Sequence, residues 1–242
     1  SLQLPFDTYA RGGSGQFEWA RERLRVLSAN TPADAVREYE GLRQGSKQGL
    51  SDAQRYGLAL ARLRGGGSAQ EATKTLEELL QAHPDSWWLG LAVAEAESRN
   101  GRVQQANQRF DALLKRLPSN RAVALTYATA LNEQGGRDAG QRAQAVLRPL
   151  LAAAADDPVF QRTFARACEL AGDGNRAGEA YAEAAYLNGR PEQALIQLNN
   201  LKKRPDLDYV ARARIDARIA AITPTVLELR RQGVQDPDVK QP

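Results

Sequence analysis

The sequence predicts an all-α solenoid of antiparallel helix pairs, opened by a degenerate pair and closed by a long capping helix. Two observations carry this. From Trp87 to Pro118 the chain reads as helix, tight turn, helix. Gly90, Val93, Ala94 and Glu97 mark one face of the first helix, and Gly101 breaks the chain. Ala106, Phe110, Leu113 and Leu114 then recur at helical spacing before Pro118 stops the second helix. The same punctuation recurs upstream: Gly67, Ala72, Leu76 and Pro84 stand 34 residues earlier at the same offsets, without a gap.

Thirty-four residues is the period of the tetratricopeptide repeat. A third set, Gly135, Ala143, Leu147 and Leu150, ends at Pro158 and carries an extra stretch, RDAGQR, between Gly135 and Ala143. A fourth has Gly172, Ala177, Tyr181 and Ala184 after a first helix from about Val159 to Ala171, with no closing proline. The residue types have a steric reason. Where two helices cross closely only a small side chain fits, the role of Ala72, Ala106, Ala143 and Ala177, and a larger one overpacks by roughly 1 to 3 kcal/mol. Leu76, Phe110, Leu147 and Tyr181, one turn later, fill the groove of the neighbouring helix. The intervening glycines supply a left-handed C-cap.

Taken in order, residues 1–15 have no helical period and read as a linker, and the solenoid spans 16–231. Phe17, Ala20, Leu24 and Leu27 define an amphipathic helix. Thr31 and Pro32 open the next, with Ala35, Val36, Tyr39 and Leu42 inward, and the pair 16–45 caps the array. Ser51 and Asp52 open the first full repeat, with Tyr56, Ala59, Leu60 and Leu63 on one face. The repeats fall near 53–84, 87–118, 121–158, 159–187 and 175–203. The last two overlap because Ala177, Tyr181 and Ala184 fit one register while Ala182, Ala185 and Gly189 fit the next. Pro149 is expected to kink the second helix of the third repeat. A capping helix over 207–231 carries Ile215, Ile219, Ile222, Val226 and Leu229 on one stripe, with Pro224 bending it. The polar tail 232–242 reads as flexible.

Composition excludes several function classes. The formal charge is +4, yet acids are interleaved with the basic residues almost everywhere, which argues against a nucleic-acid surface. No run approaches the roughly 20 apolar residues of a membrane span. The absence of methionine and the start at Ser1 suggest a processed product or a fragment of something larger. The one cysteine, Cys168, reads as core. The one histidine, His83, precedes Pro84 and has no second histidine with which to bind zinc. No catalytic, cofactor or metal constellation is present, and the chain reads as a non-enzyme.

What remains is recognition. In stacked pairs the first helices line a concave face. The register places Trp88, Leu91, Glu95 and Arg99, then Leu125, Thr129 and Glu133, then Arg162, Arg166 and Glu169 on it. Of Trp87 and Trp88, one ring packs between repeats and the other is available; the sequence leaves open which.

The C-terminal third permits a closer comparison. AYAEAAYLNGRPEQALIQLNNL at 180–201 and YVARARIDARIAAI at 209–222, with FEWARERLRVL at 17–27 and RYGLALARL at 55–63, resemble the repeat region of the periplasmic beta-barrel assembly-enhancing protease family. In that family an HExxH zinc metalloprotease domain precedes the repeats. The repeats dock on the protease and engage the barrel-assembly machinery or unfolded outer-membrane proteins. The resemblance implies a periplasmic, Gram-negative, protein-binding chain with no cofactor of its own, zinc being expected only in the protease domain. The alternative is a regulatory domain that packs on the protease and limits access to its site.

Overall fold

The computed structural model describes residues 14–67 and 69–237. Among these there are twelve α-helices and no strand. The chain divides into two compact units, Ser1–Pro118 and Ser119–Pro242. Most helices start where a short polar side chain can cap them. Thr31, Ser51, Ser86, Asn120, Asp157, Asp173 and Asp208 each accept a bond from a backbone N–H of the first turn.

The first unit holds α1 (Ser14–Ser28), α2 (Pro32–Gly45), α3 (Asp52–Arg64), α4 (Ala69–Ala82), α5 (Trp87–Arg99) and α6 (Val103–Arg116). Helices α3 to α6 pack in sequence, each on the next, while α1 and α2 both lean on α3 more than on each other. The small residues expected at close crossings, Ala72 and Ala106, are buried, as are Leu76 and Phe110 one turn later. Gly101 takes the left-handed conformation, at φ 77°. Of the stretch expected as a linker, residues 1–13 lie outside the described residues, and α1 begins at Ser14.

Helix α1 presents a different face from the one its aliphatic stripe predicts. Phe17, Leu24 and Leu27 are 63, 51 and 48% exposed, and the buried side is Trp19, Glu22, Arg23 and Val26. A polar and an aromatic anchor accompany this rotation. The Glu22 carboxylate, fully buried, accepts a 2.6 Å bond from the Tyr39 hydroxyl of α2 and lies 3.6 Å from Arg25. The Trp19 ring meets Tyr56 of α3 edge-on at 5.6 Å and His83 at 5.3 Å. Burial, then the Glu22 carboxylate, pushes the Tyr39 phenol far above its ordinary range. Gly57 of α3 faces that hydroxyl so closely that a side chain there would collide with it. Leu42, expected inward, is exposed.

The second unit holds α7 (Arg121–Gln134), α8 (Arg137–Leu147), α9 (Pro158–Ala171), α10 (Gly174–Leu187), α11 (Pro191–Lys202) and α12 (Tyr209–Arg231). The extra residues of the third repeat are not where the glycine-to-alanine spacing puts them. RDAGQR forms the opening of α8 itself, and the surplus follows Leu147 as a 3-10 turn, Arg148–Leu150, and a further turn before Asp157. Pro149 therefore lies beyond the end of α8 and kinks no helix. Cys168 is buried on α9, and burial pushes its thiol up against an opposing hydrogen bond to Gln144.

Helix α10 packs on both α9 and α11. Beyond it α12 runs unbroken through Pro224 and sets Ile215, Ile222 and Val226 against Ala182, Ala194, Leu198 and Leu201. Arginines fasten its flank. Arg214 grips Glu179 at 2.9 and 3.1 Å, and Arg218 grips Glu183 at 2.6 and 2.8 Å while lying over the Tyr186 ring. The described part of the tail expected to be flexible is pinned. Val234 donates its N–H to the Leu229 carbonyl, and the buried Asp236 carboxylate accepts from the Gln193 N–H at 2.8 Å. Arg190 at the start of α11 makes no side-chain cap, so Asp236 supplies that function from 43 residues away.

Candidate functional site

Each first helix begins at a capping residue, which fixes the phase of its inner face. Leu91, Leu125 and Arg162 each lie five residues past the caps Ser86, Asn120 and Asp157, and Glu95, Thr129 and Arg166 lie nine past them. The two units treat these equivalent positions in opposite ways.

In the first unit the face is closed. Leu91 is fully buried, Trp88 is 5% exposed and Glu95 7%. Helix α1 reaches Trp88, whose indole N–H donates to the Gln16 amide oxygen at 3.0 Å, and the Trp87 ring stacks on it at 3.7 Å. Trp87 is half-buried, so the less covered ring of the pair is this one. Glu95 lies 3.3 Å from Arg64 of α3 and 3.8 Å from Arg99. Trp88, Leu91 and Glu95 are thus withdrawn from any ligand, and only Arg99 of the four expected on α5 is exposed. Nearby, His83 Nε2 lies 2.9 Å from an Asp52 carboxylate oxygen, which with Arg55 holds the Asp52 carboxyl below its usual range.

In the second unit the face is open. Thr129 and Glu133 on α7, and Arg162, Arg166 and Glu169 on α9, are exposed, with Leu125 half-buried. The Asn132 amide donates to the Thr163 carbonyl at 3.1 Å and ties the two helices together. Glu169 lies 3.3 Å from Arg166 and accepts a 2.7 Å bond from the Tyr181 hydroxyl of α10. That bond holds the Glu169 carboxyl low. Burial, then Glu169, pushes the Tyr181 phenol up to about 12, so it stays a proton donor. Tyr181 belongs to this surface although its register position reads only as a packing residue; its hydroxyl, where Leu76 and Phe110 have none, was the available signal.

A separate open cleft of about 730 Å³ lies between α4 and α6, with Val93 and Glu97 of α5 at its floor and Arg109 paired to Glu97 at 2.5 Å. Among the described residues no group of three or more His, Cys, Asp or Glu side chains could hold a metal ion. No described helix is long and apolar enough to cross a membrane.

Residues 63–128, covering α4 to α6 and most of α7, match the tetratricopeptide repeat family. These are tetratricopeptide repeats. The chain is also 31% identical over 168 residues to the beta-barrel assembly-enhancing proteases of Escherichia coli K12 and Shigella flexneri, an alignment covering 69% of this chain and 33% of each relative. It spans about a third of the length of the curated relatives it matches. Two solved structures share lower similarity. MamA MSR-1 C2 has 15% identity and a TM-score of 0.46 over 72% of this chain and 94% of its own. A tetratricopeptide repeat protein from Parabacteroides merdae has 14% identity and a TM-score of 0.44 over 90% and 93%. Tetratricopeptide repeats are protein-interaction modules, and residues 63–128 of this all-helical chain are of that kind.

Proposed function

We propose that the chain is the protein-recognition module of a periplasmic quality-control protease that acts in outer-membrane protein assembly. In this reading it binds barrel-assembly components or unfolded outer-membrane proteins through the open face of the second unit. The observation that carries the reading is the contrast between the units. The inner face of α5 is closed by α1 and internal ion pairs, whereas α7 and α9 present Thr129, Glu133, Arg162, Arg166 and Glu169 to solvent. The similarity to proteases named for enhancing β-barrel assembly supports the cellular setting.

Photocrosslinking from positions 129, 162 and 166, in the protease-linked protein within the periplasm, tests this. Capture of assembly subunits or barrel precursors is the expected result, and labelling confined to the protease domain overturns it. That second result would favour a regulatory domain packed on its protease. One observation favours this other reading: α1 turns Phe17, Leu24 and Leu27 outward, an apolar stripe suited to a docking partner. Crosslinks from Leu24 to the protease domain are its test.

A further inference from the structure

We infer that the surface formed by Arg162 and Arg166 of α9 with Tyr181 of α10 binds an acidic segment of a partner protein. The inference rests on the protein-recognition reading and names the chemistry of the partner.

The caps put the first helices in a common sequence register, so equivalent positions can be compared from repeat to repeat. Five residues past the cap, a fully buried leucine in α5 becomes a half-buried leucine in α7 and an exposed arginine in α9. Nine residues past it, a buried glutamate becomes an exposed threonine and then an exposed arginine. Positions that are buried in α5 are occupied in α9 by exposed cations that no core requires.

The charge on this patch is not balanced from within. Arg162 and Arg166 are one turn apart on the same side of α9, a spacing at which like charges repel. The one carboxylate bonded within the cluster, Glu169, is engaged by both Arg166 and the Tyr181 hydroxyl. Among the described residues Arg162 has no ion-pair partner. Between α9 and α10 two guanidiniums thus share one carboxylate, and a guanidinium takes a carboxylate through two parallel N–H bonds. A carboxylate from a partner entering beside Arg162 would complete the alternation of charge, with the neutral phenol of Tyr181 holding Glu169 aside.

The test uses the full chain and a fluorescein-labelled synthetic peptide of glutamate, tyrosine and leucine, compared by anisotropy with the same peptide carrying glutamine for glutamate. The acidic peptide should bind about tenfold more tightly, and the preference should shrink as salt rises. R162E combined with R166E should abolish the preference, with circular dichroism confirming the fold, and R162K should keep part of it. Equal binding of the two peptides, no binding of either, or a charge-reversed variant that binds normally would overturn the inference. So would capture of phosphatidylglycerol vesicles in place of the acidic peptide. The two readings fail separately. Crosslinks from Thr129 to assembly proteins without any acidic preference sink this inference alone, and acidic preference without such crosslinks sinks the cellular assignment alone.

Discussion

Gly140 of α8 lies so close under Leu170 of α9 that a first side-chain carbon at 140 would sit 2.7 Å from the Leu170 Cβ and 2.7 Å from the Ala171 backbone nitrogen. Backbone cannot step aside as a flexible side chain can. Gly140→Ala should therefore destabilise the protein by about 1 to 3 kcal/mol. The same change at Gly41, inside α2 with nothing within 4 Å, should stabilise it by about 0.5 to 1 kcal/mol. Urea denaturation of both variants checks the opposite signs.

Gly140 also shows how the sequence could be misread. It stands 34 residues after Ala106, at the small-residue position, but Ala143 satisfies the same rule three residues later, and choosing it displaces the insertion to the wrong end of α8. Repeat punctuation was legible because glycine, alanine and proline have steric roles that do not depend on neighbours. The face of α1 was not. Periodicity finds the stripe of Phe17, Leu24 and Leu27, but the core chose Trp19 and the Glu22 to Tyr39 bond, a long-range polar contact that leaves no local pattern. The closing of the α5 face was illegible for the same reason, since Gln16 lies 72 residues from Trp88.

The cap that Asp236 lends to α11 should be separable from the rest of the fold. Asp236→Ala should cost about 1 kcal/mol. Native-state hydrogen exchange should show the Gln193 amide losing protection first, with α9 amides unchanged. Uniform loss of protection across the second unit would contradict a local cap.

Asp52 should contribute to the acid side of the stability profile. Its carboxyl is held below the ordinary value by the His83 hydrogen bond, opposed in part by burial. A depressed carboxylate stabilises the folded state fully above its unfolded pKa of about 3.9. That contribution is lost as the pH falls through the lower folded value. Asp52→Asn should flatten this part of the curve in acid-unfolding experiments monitored by circular dichroism. Both groups are substantially exposed, so added salt should reduce the difference.

The grip of Arg218 on Glu183 depends on a planar fork. Lysine offers a single point of charge, so Arg218→Lys should lose about as much stability as Arg218→Gln, on the order of 0.5 to 1 kcal/mol. A double-mutant cycle with Glu183→Gln measures the coupling. A coupling near zero would mean that this pair adds nothing to the hold that Ile215, Ile222, Val226 and the Arg214 to Glu179 pair have on α12.

In an ordinary stack each pair touches only its neighbours, and a terminal pair can fray while the rest persists. Helix α10 reduces that freedom, because besides packing on α9 and α11, as every inner helix packs on its neighbours, it bears the arginine contacts of α12. No cut between these four helices leaves both parts with a complete partner. Removing α11 and α12 would therefore expose the side of α10 that holds Gly178 and Ala182 against Leu201, Ala194 and Leu198, the helix that also carries Tyr181.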